Sequence, residues 1–146
     1  PVWTELFAGR LDTEKMIGEG ERILAWINAR NYHLVRSMAF ETEIDGLKCI
    51  CANMPQGRSS FFDTLNGIKD YDVMINFYMN KKRRWNLSFY SAKKEVDVSK
   101  IAARFGGGGH SMAAGVRIRG PIEEVRLTIL KAMREEVERV LRQKIS

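Results

Sequence analysis

Phe105-Gly106-Gly107-Gly108-Gly109-His110-Ser111-Met112-Ala113-Ala114-Gly115 is the stretch on which the reading of this chain turns. Four consecutive glycines are costly, because each loses more backbone entropy on folding than any other residue. A chain keeps such a run where the backbone must approach something closely or adopt positive φ. Successive glycine amides can also form a nest for an anion. One protonatable side chain closes the run, and His110 can donate to a phosphate oxygen, more strongly when charged. Ala113, Ala114 and Gly115 are small and leave room for a ligand or a neighbouring strand. The competing reading is a plain hinge or tight connection. A bare run of four glycines would leave the two readings level, and the attached His-x-x-Ala-Ala-Gly favours a binding loop.

Outward from the loop, Val96-Asp97-Val98-Ser99 leads into a short helix over about 98–105. Asp97 is its expected cap, and Ile101, Ala102 and Phe105 face inward. Ala113 to Arg119 reads as a strand. Pro121 sits where a first-turn proline belongs, and Glu123 and Glu124 suit the positive helix end. Val125, Ile129, Met133, Val137, Val140 and Leu141 form the inner stripe of a helix of about 22 residues. On the other side, Tyr71–Met79 and Trp85–Ser91 read as a hairpin with the charged tip Asn80-Lys81-Lys82-Arg83-Arg84. The first of the two strands is apolar enough to be buried on both faces.

Farther upstream, Ile17, Gly20, Leu24 and Ile27 are spaced by three and four. They predict an amphipathic helix over about 13–30, capped by Asp12 or Thr13 and ended at Asn31, with Gly20 at a close contact. Leu34–Thr42 and Leu47–Met54 read as strands joined by the turn dipeptide Asp45-Gly46. Pro55-Gln56-Gly57 breaks the chain. A short helix over about 60–67 follows, capped by Ser59 or Ser60 and closed by Gly67. Residues 1–12 read as a linker and 13–146 as one globular domain. The expected fold class is α/β, a mixed sheet of about five strands flanked by helices.

The 146 residues are 45% hydrophobic and 29% charged, which excludes collagen-like, disordered and coiled-coil-only chains. No run approaches a membrane span and no secretory signal is visible, so no membrane partner is expected. The net charge is +6, and residues 71–146 carry the whole excess, with 16 Lys/Arg against 8 Asp/Glu. A basic half favours phosphate-bearing partners by long-range attraction. Cys49 and Cys51 share one face of a strand, with no second pair to complete a zinc site. They read as small core residues in a reducing, cytoplasmic setting.

The loop and its flanks resemble the C-terminal, substrate-binding DHHA1 domain of DHH-type phosphoesterases. Gly107-Gly108-Gly109-His110-Ser111-Met112-Ala113-Ala114-Gly115 matches the glycine–His–x–x–Ala–Ala–Gly signature position by position. Val96–Phe105 is similar to the preceding helix in the oligoribonuclease and exopolyphosphatase-like branch, and Trp85-Asn86-Leu87-Ser88 to the preceding strand. The resemblance is strong over about 70–121 and weaker over 10–70. It implies a division of labour: an N-terminal DHH domain binds two manganese ions that activate water, and this part recognises substrate. The sequence holds no Asp-His-His and only two histidines, His33 and His110. No metal ligands or catalytic residues are therefore expected in this chain, which should be inactive alone. The start at Pro1 fits a domain excised from a larger parent.

By the same resemblance, Gly106, Gly107, Gly108 and Gly109 approach the substrate, His110 contacts its phosphate, and Ala113, Ala114 and Gly115 shape the pocket. Relatives often carry an arginine one residue before the last serine of the strand. In Ser88-Phe89-Tyr90-Ser91 that position is Tyr90, so a guanidinium fork is missing there. Tyr90 and Ser91 remain candidate contacts, Tyr90 by stacking or one hydrogen bond. Arg104, Lys93 or Lys94 could restore the charge.

The expected partners are a short oligonucleotide or nucleotide phosphate and the DHH domain, and a homodimer is a further expected assembly. The expected parental reaction is phosphodiester hydrolysis. One alternative is a nucleotide-sensing or assembly module without catalysis. Another is a general single-strand binder using Lys81, Lys82, Arg83 and Arg84, although such a cluster is more often a solvated tip that blocks edge pairing. Alanyl-tRNA synthetases carry a related domain whose loop lacks the histidine. Among the lesser candidates, Trp3, Trp26 and Trp85 offer stacking surfaces, but Trp26 reads as packing. Met74, Met79, Met112 and Met133 read as core fillers, and His33 as a surface or capping residue.

Overall fold

The computed structural model describes residues 2–44, 46–55, 59–65 and 68–145, with the side chains of 59, 60, 68 and 143–145 outside that description. Helices α1 (Val2–Phe7) and α2 (Thr13–Met38) come first. A hairpin of β1 (Ala39–Ile44) and β2 (Leu47–Asn53) follows, then 3-10 turns at Ser59–Thr64 and Ile68–Asp70. Strands β3 (Val73–Met79) and β4 (Arg84–Ser91) precede helix α3 (Val98–Ala103). The glycine run enters β5 (Gly108–His110), and β6 (Ala113–Arg119) and helix α4 (Ile122–Ile145) complete the chain.

The strands form one mixed sheet in the order β1-β2-β3-β4-β6-β5. Only the β2–β3 pair is parallel, because the 3-10 segment carries the chain back across the sheet. The expected class is therefore correct, with one more strand than expected. That strand is β5, which came from the glycine run itself. Glycines carry no strand propensity, and three residues pair there only because β6 offers an open edge.

Alternation gives the sheet two faces. Cys49, Cys51, Val73, Ile75, Leu87, Phe89, Ala114 and Val116 pack under α3 and α4, against Ile101, Val125, Ile129 and Met133. On the other face, Ile50, Ala52 and Met74 meet Val35 of α2 and Phe61 and Phe62 of the 3-10 turn. That second cover reaches β1 to β3 and, through Phe62, the Tyr90 end of β4. Burial pushes both cysteine thiols up to about 12, so each is a protonated thiol at neutral pH and a poor nucleophile or metal ligand.

Buried polar groups fix the connections. Asn76 is 2% exposed and makes two hydrogen bonds to the Met54 backbone, accepting from its N–H at 3.2 Å and donating to its carbonyl at 3.1 Å. Asp72 accepts from Lys48 N–H at 2.8 Å and pairs with Lys93. Glu136 of α4, 1% exposed, receives Arg139 and accepts from the Asp97 N–H at 3.3 Å. It thereby ties α4 to the start of α3.

Asp97 caps α3 as expected, accepting from the Ser99 N–H at 3.0 Å and from the Ser99 hydroxyl. The Ser99 hydroxyl bond holds its carboxyl below the ordinary aspartate range. The stabilisation is therefore present above the unfolded aspartate pKa and is lost as pH falls through the lowered folded value. Asp97→Ala should cost about 1 kcal/mol near neutrality. Urea unfolding of both proteins from neutral pH to pH 3 should show that gap closing in acid.

Several expectations change. First, α2 does not end at Asn31 but runs to Met38, so β1 begins at Ala39 and not at Leu34. Asn tolerates a left-handed cap without requiring one, and Leu34 and Val35 extend the apolar spacing onto the core. Second, the stripe expected to pack is largely bare. Ile17, Leu24 and Trp26 are 62%, 58% and 64% exposed, and nothing lies within 4 Å of a Cβ built at Gly20. Trp26 is not packing; Arg30 lies over its ring at 5.8 Å. Third, residues 2–7 of the expected linker are helical, with none buried. Fourth, Met79, Met112 and Leu141 are exposed, whereas Met74 and Met133 are core residues.

Asp12 caps α2 through the Lys15 N–H. The Asp45-Gly46 hairpin is supported by the Ile44–Leu47 pairing and by φ of 82° at Gly46; Asp45 lies outside the described residues. The helix expected at 60–67 is a 3-10 turn over Ser59–Thr64, and Gln56, Gly57 and Gly67 lie outside the described residues. No helix among the described residues is long and apolar enough to cross a membrane.

Candidate functional site

The glycines of the loop answer to different demands. The Gly106 N–H donates to Ala103 and the Gly107 N–H to Ala102, with φ of 72° at Gly106. This is the glycine-dependent helix ending with paired backward bonds. A Cβ on Gly107 would lie 2.3 Å from the Gly115 carbonyl and 2.7 Å from Val116 Cβ. Gly109 has φ of 148°, and its Cβ would lie 2.4 Å from the Ala113 carbonyl. Gly108 is different. Its φ is ordinary and nothing lies within 4 Å of a Cβ there. The fold requires three of the four glycines and leaves the fourth without an internal reason.

Registers across β4, β6 and β5 set the site out in rows. One row is Tyr90–Ala113–His110 and the next is Ser88–Gly115–Gly108. Below them stand Asn86–Arg117 and Arg84–Arg119, where β5 no longer reaches. All these side chains leave the face opposite α3 and α4. The α2 and 3-10 cover stops beside them, where the Phe62 ring meets the Tyr90 ring edge-on at 6.4 Å. The floor of the site is bare backbone and small side chains, bordered by His110 and Tyr90 on one side and Arg117 on the other. A depression of about 400 Å³ is lined by Ser88, Gly106, Gly107, Gly115 and Arg117.

The turn that carries His110 is held from two sides. Val98 N–H donates to the Ser111 carbonyl and Ser91 N–H to the Met112 carbonyl, each at 3.0 Å. His110 is exposed at the end of this anchored hairpin. The structure thus brings together Gly108, His110, Ala113, Gly115 and Tyr90. It separates the others. Ala114 is buried on the α3 side of the sheet, and Ser91 is buried on that side too, donating its hydroxyl to the Lys93 carbonyl at 2.6 Å. Arg104 ends α3 and pairs with Glu135 of α4. Lys93 pairs with Asp72.

Arg117 was missed in the sequence. It is exposed, and its Nε donates to Asn86 Oδ1 at 3.2 Å, which orients the guanidinium on the open face. The signal was there: positions 113, 115 and 117 of one strand share a face. A guanidinium therefore stands on the strand next to that of Tyr90.

A family model described as the DHHA1 domain matches residues 51–139, the segment that contains every row of this site. The chain belongs to the DHHA1 domain family. Among solved structures, an exopolyphosphatase-related protein from Bacteroides fragilis aligns over 95% of this DHHA1 chain and 43% of its own, at 17% identity and a TM-score of 0.59. A pGpG-specific phosphodiesterase from Vibrio cholerae aligns over 74% of this chain and 39% of its own, at 10% identity and a TM-score of 0.57. At such identities the likeness is one of fold. The DHHA1 chain spans about two fifths of the length of each of these proteins.

Manganese, which the resemblance to DHH-type phosphoesterases implies for a separate domain, does not fit the residues described. Among the described residues no three His, Cys, Asp or Glu side chains gather as a metal would need, and His33 and His110 stand on α2 and β5.

Proposed function

We propose that this DHHA1 domain is the substrate-recognition part of a metal-dependent DHH phosphoesterase that hydrolyses phosphodiesters of short oligonucleotides or nucleotides. One observation carries the reading: Gly108 has no internal reason to be glycine, and it stands between His110 and the Arg117 side of an open, small-residue floor. A phosphate there meets backbone at close range, a charge-assisted donor from His110 and a guanidinium from Arg117. In this reading the neighbouring Tyr90 ring stacks a base.

Catalysis belongs in this proposal to a separate DHH domain with two manganese ions, so the chain alone binds and does not hydrolyse. The bare apolar stripe of α2 is the surface that such a domain would cover, and a cytoplasmic location is part of the same reading. The Vibrio phosphodiesterase of similar fold is specific for pGpG, which makes a suitable first ligand. Titration of pGpG and phosphoadenosine phosphate into the labelled chain should move the amide signals of 106–115 together with 88, 90 and 117. Signals at those positions that stay still for every ligand would refute the reading.

A further inference from the structure

The rows below the phosphate floor continue well past it. On the same face, β4 presents Asn86 and Arg84 after Ser88, and β6 presents Arg117 and Arg119 after Gly115. The adjoining strand β3 adds Tyr78, paired with Asn86 and alternating with the inward Phe77. The β3–β4 turn closes this end and is well built. Asn80 Oδ1 accepts from the Lys82 and Arg84 N–H groups at 2.9 and 3.2 Å, and Arg83 turns at φ of 55°. Lys81, Lys82 and Arg83 are thereby held out in solvent.

The charges along this stretch have one sign. From Tyr90 to the tip, the residues that β3, β4 and β6 present on this face include no carboxylate. The acids of the face, Glu41 and Glu43, stand on β1 at the far end of the sheet. Among the described residues Arg119 has no ion-pair partner, and Arg84 Nε is buried without a hydrogen-bond partner. A mononucleotide seated between His110 and Arg117 would use none of Tyr78, Arg84, Arg119 or the tip. Two half-buried tyrosines, Tyr90 and Tyr78, border a basic lane that extends beyond the proposed seat. Aromatic rings beside tracking cations are what a single strand recognises, through base stacking and backbone charge.

We infer that this face is an extended lane for single-stranded oligonucleotide. One phosphate sits at the His110–Gly108 end, and the strand runs past Tyr90, Arg117 and Tyr78 toward Arg119 and the Lys81–Arg83 tip. The lane rests on the reading of the His110 end as the phosphate seat. Six residue steps separate Tyr90 from Arg84, roughly 20 Å of strand. That length suits about four nucleotides, the low end of single-strand site sizes. Polyphosphate would meet the cations but would leave the tyrosines unused.

The test is fluorescence polarisation with labelled RNA of two, four and eight nucleotides, unlabelled polyphosphate as competitor, and a salt series. Affinity should rise at least tenfold from two to four nucleotides and then level off. Charge reversal at the tip (K81E, K82E and R83E together) and, separately, Arg119→Glu should each weaken the octamer severalfold and flatten its salt dependence. Tyr78→Ala should weaken RNA and leave polyphosphate competition unchanged. Amide spectra of each variant check that the fold is intact. The lane is overturned if two and eight nucleotides bind alike, if the folded charge-reversal variants bind the octamer as well as the parent does, or if Tyr78→Ala weakens RNA and polyphosphate alike. Length-independent binding that His110→Ala still abolishes would remove the lane and leave the phosphate seat standing. Length-dependent binding indifferent to His110→Ala would remove the seat.

Discussion

His110→Ala should weaken binding of a phosphate-bearing nucleotide by about 10- to 100-fold, with the fold unchanged. The magnitude follows from the bond removed. A hydrogen bond to a charged group contributes roughly 1.5–3 kcal/mol, and each 1.4 kcal/mol is about tenfold in affinity. The fold should tolerate the change because the side chain is exposed and its turn is held by backbone. The Ser111 and Met112 carbonyls accept from Val98 and Ser91 N–H groups, and none of these bonds involves the imidazole. Calorimetry with pGpG, beside urea unfolding of both proteins, separates the two effects. A loss of stability equal to the loss of affinity would mean that His110 is a structural residue. His110→Gln retains a donor without the charge and should fall between the two.

Strand register and helix position explain why Ser91 and Arg104, promising in the sequence, lie apart from the proposed seat. Ser91 closes a strand, and alternation from the open-faced Tyr90 turns its side chain toward α3, where the hydroxyl satisfies the Lys93 backbone. Arg104 ends a helix on the covered face, and Glu135 is within its reach there. Both placements come from sidedness, which a motif does not encode and a register does. Arg117 is the converse. No motif marks it, but once β6 pairs with β4 its position beside Ser88 and Gly115 is fixed.

Local signals carried the elements whose ends are chemically marked. Asp12 and Asp97 cap their helices because a side-chain oxygen can meet a free N–H, a one-turn effect visible in sequence. The hairpin at Gly46 and the strand flanking the glycine run are of that kind. What was less legible depended on partners. The 3-4 spacing of Ile17, Leu24 and Ile27 did predict a helix, yet not what it would bury against. Among the described residues, α2 joins the core through Leu34 and Val35 of its last turns. Periodicity reports that a face is apolar and says nothing about which surface covers it.

The loop supports the sharpest contrast between fold and function. Gly107→Ala and Gly109→Ala should each destabilise the protein by at least about 1–3 kcal/mol, the cost of forcing atoms into a packed site. The Gly107 Cβ would meet the Gly115 carbonyl at 2.3 Å and Val116 Cβ at 2.7 Å, so β5 must leave β6 or α3 must shift. At Gly109 the obstacles are the Ala113 carbonyl at 2.4 Å and Ala114 Cα at 2.6 Å, both backbone atoms that cannot rotate away. Gly108→Ala meets nothing within 4 Å and should leave stability within about 0.5 kcal/mol, as at other open positions. It should nonetheless weaken nucleotide binding at least tenfold, because the new methyl would stand on the floor proposed as the phosphate seat. Urea unfolding and calorimetry on the three variants test both halves of the statement. Gly108→Ala binding as well as the parent would show that the bare floor is not a seat. Gly107→Ala folding as well as the parent would mean that the loop lies differently against β6. The division of roles follows from neighbours: two of these glycines are enclosed by protein, and Gly108 is open to whatever the protein binds.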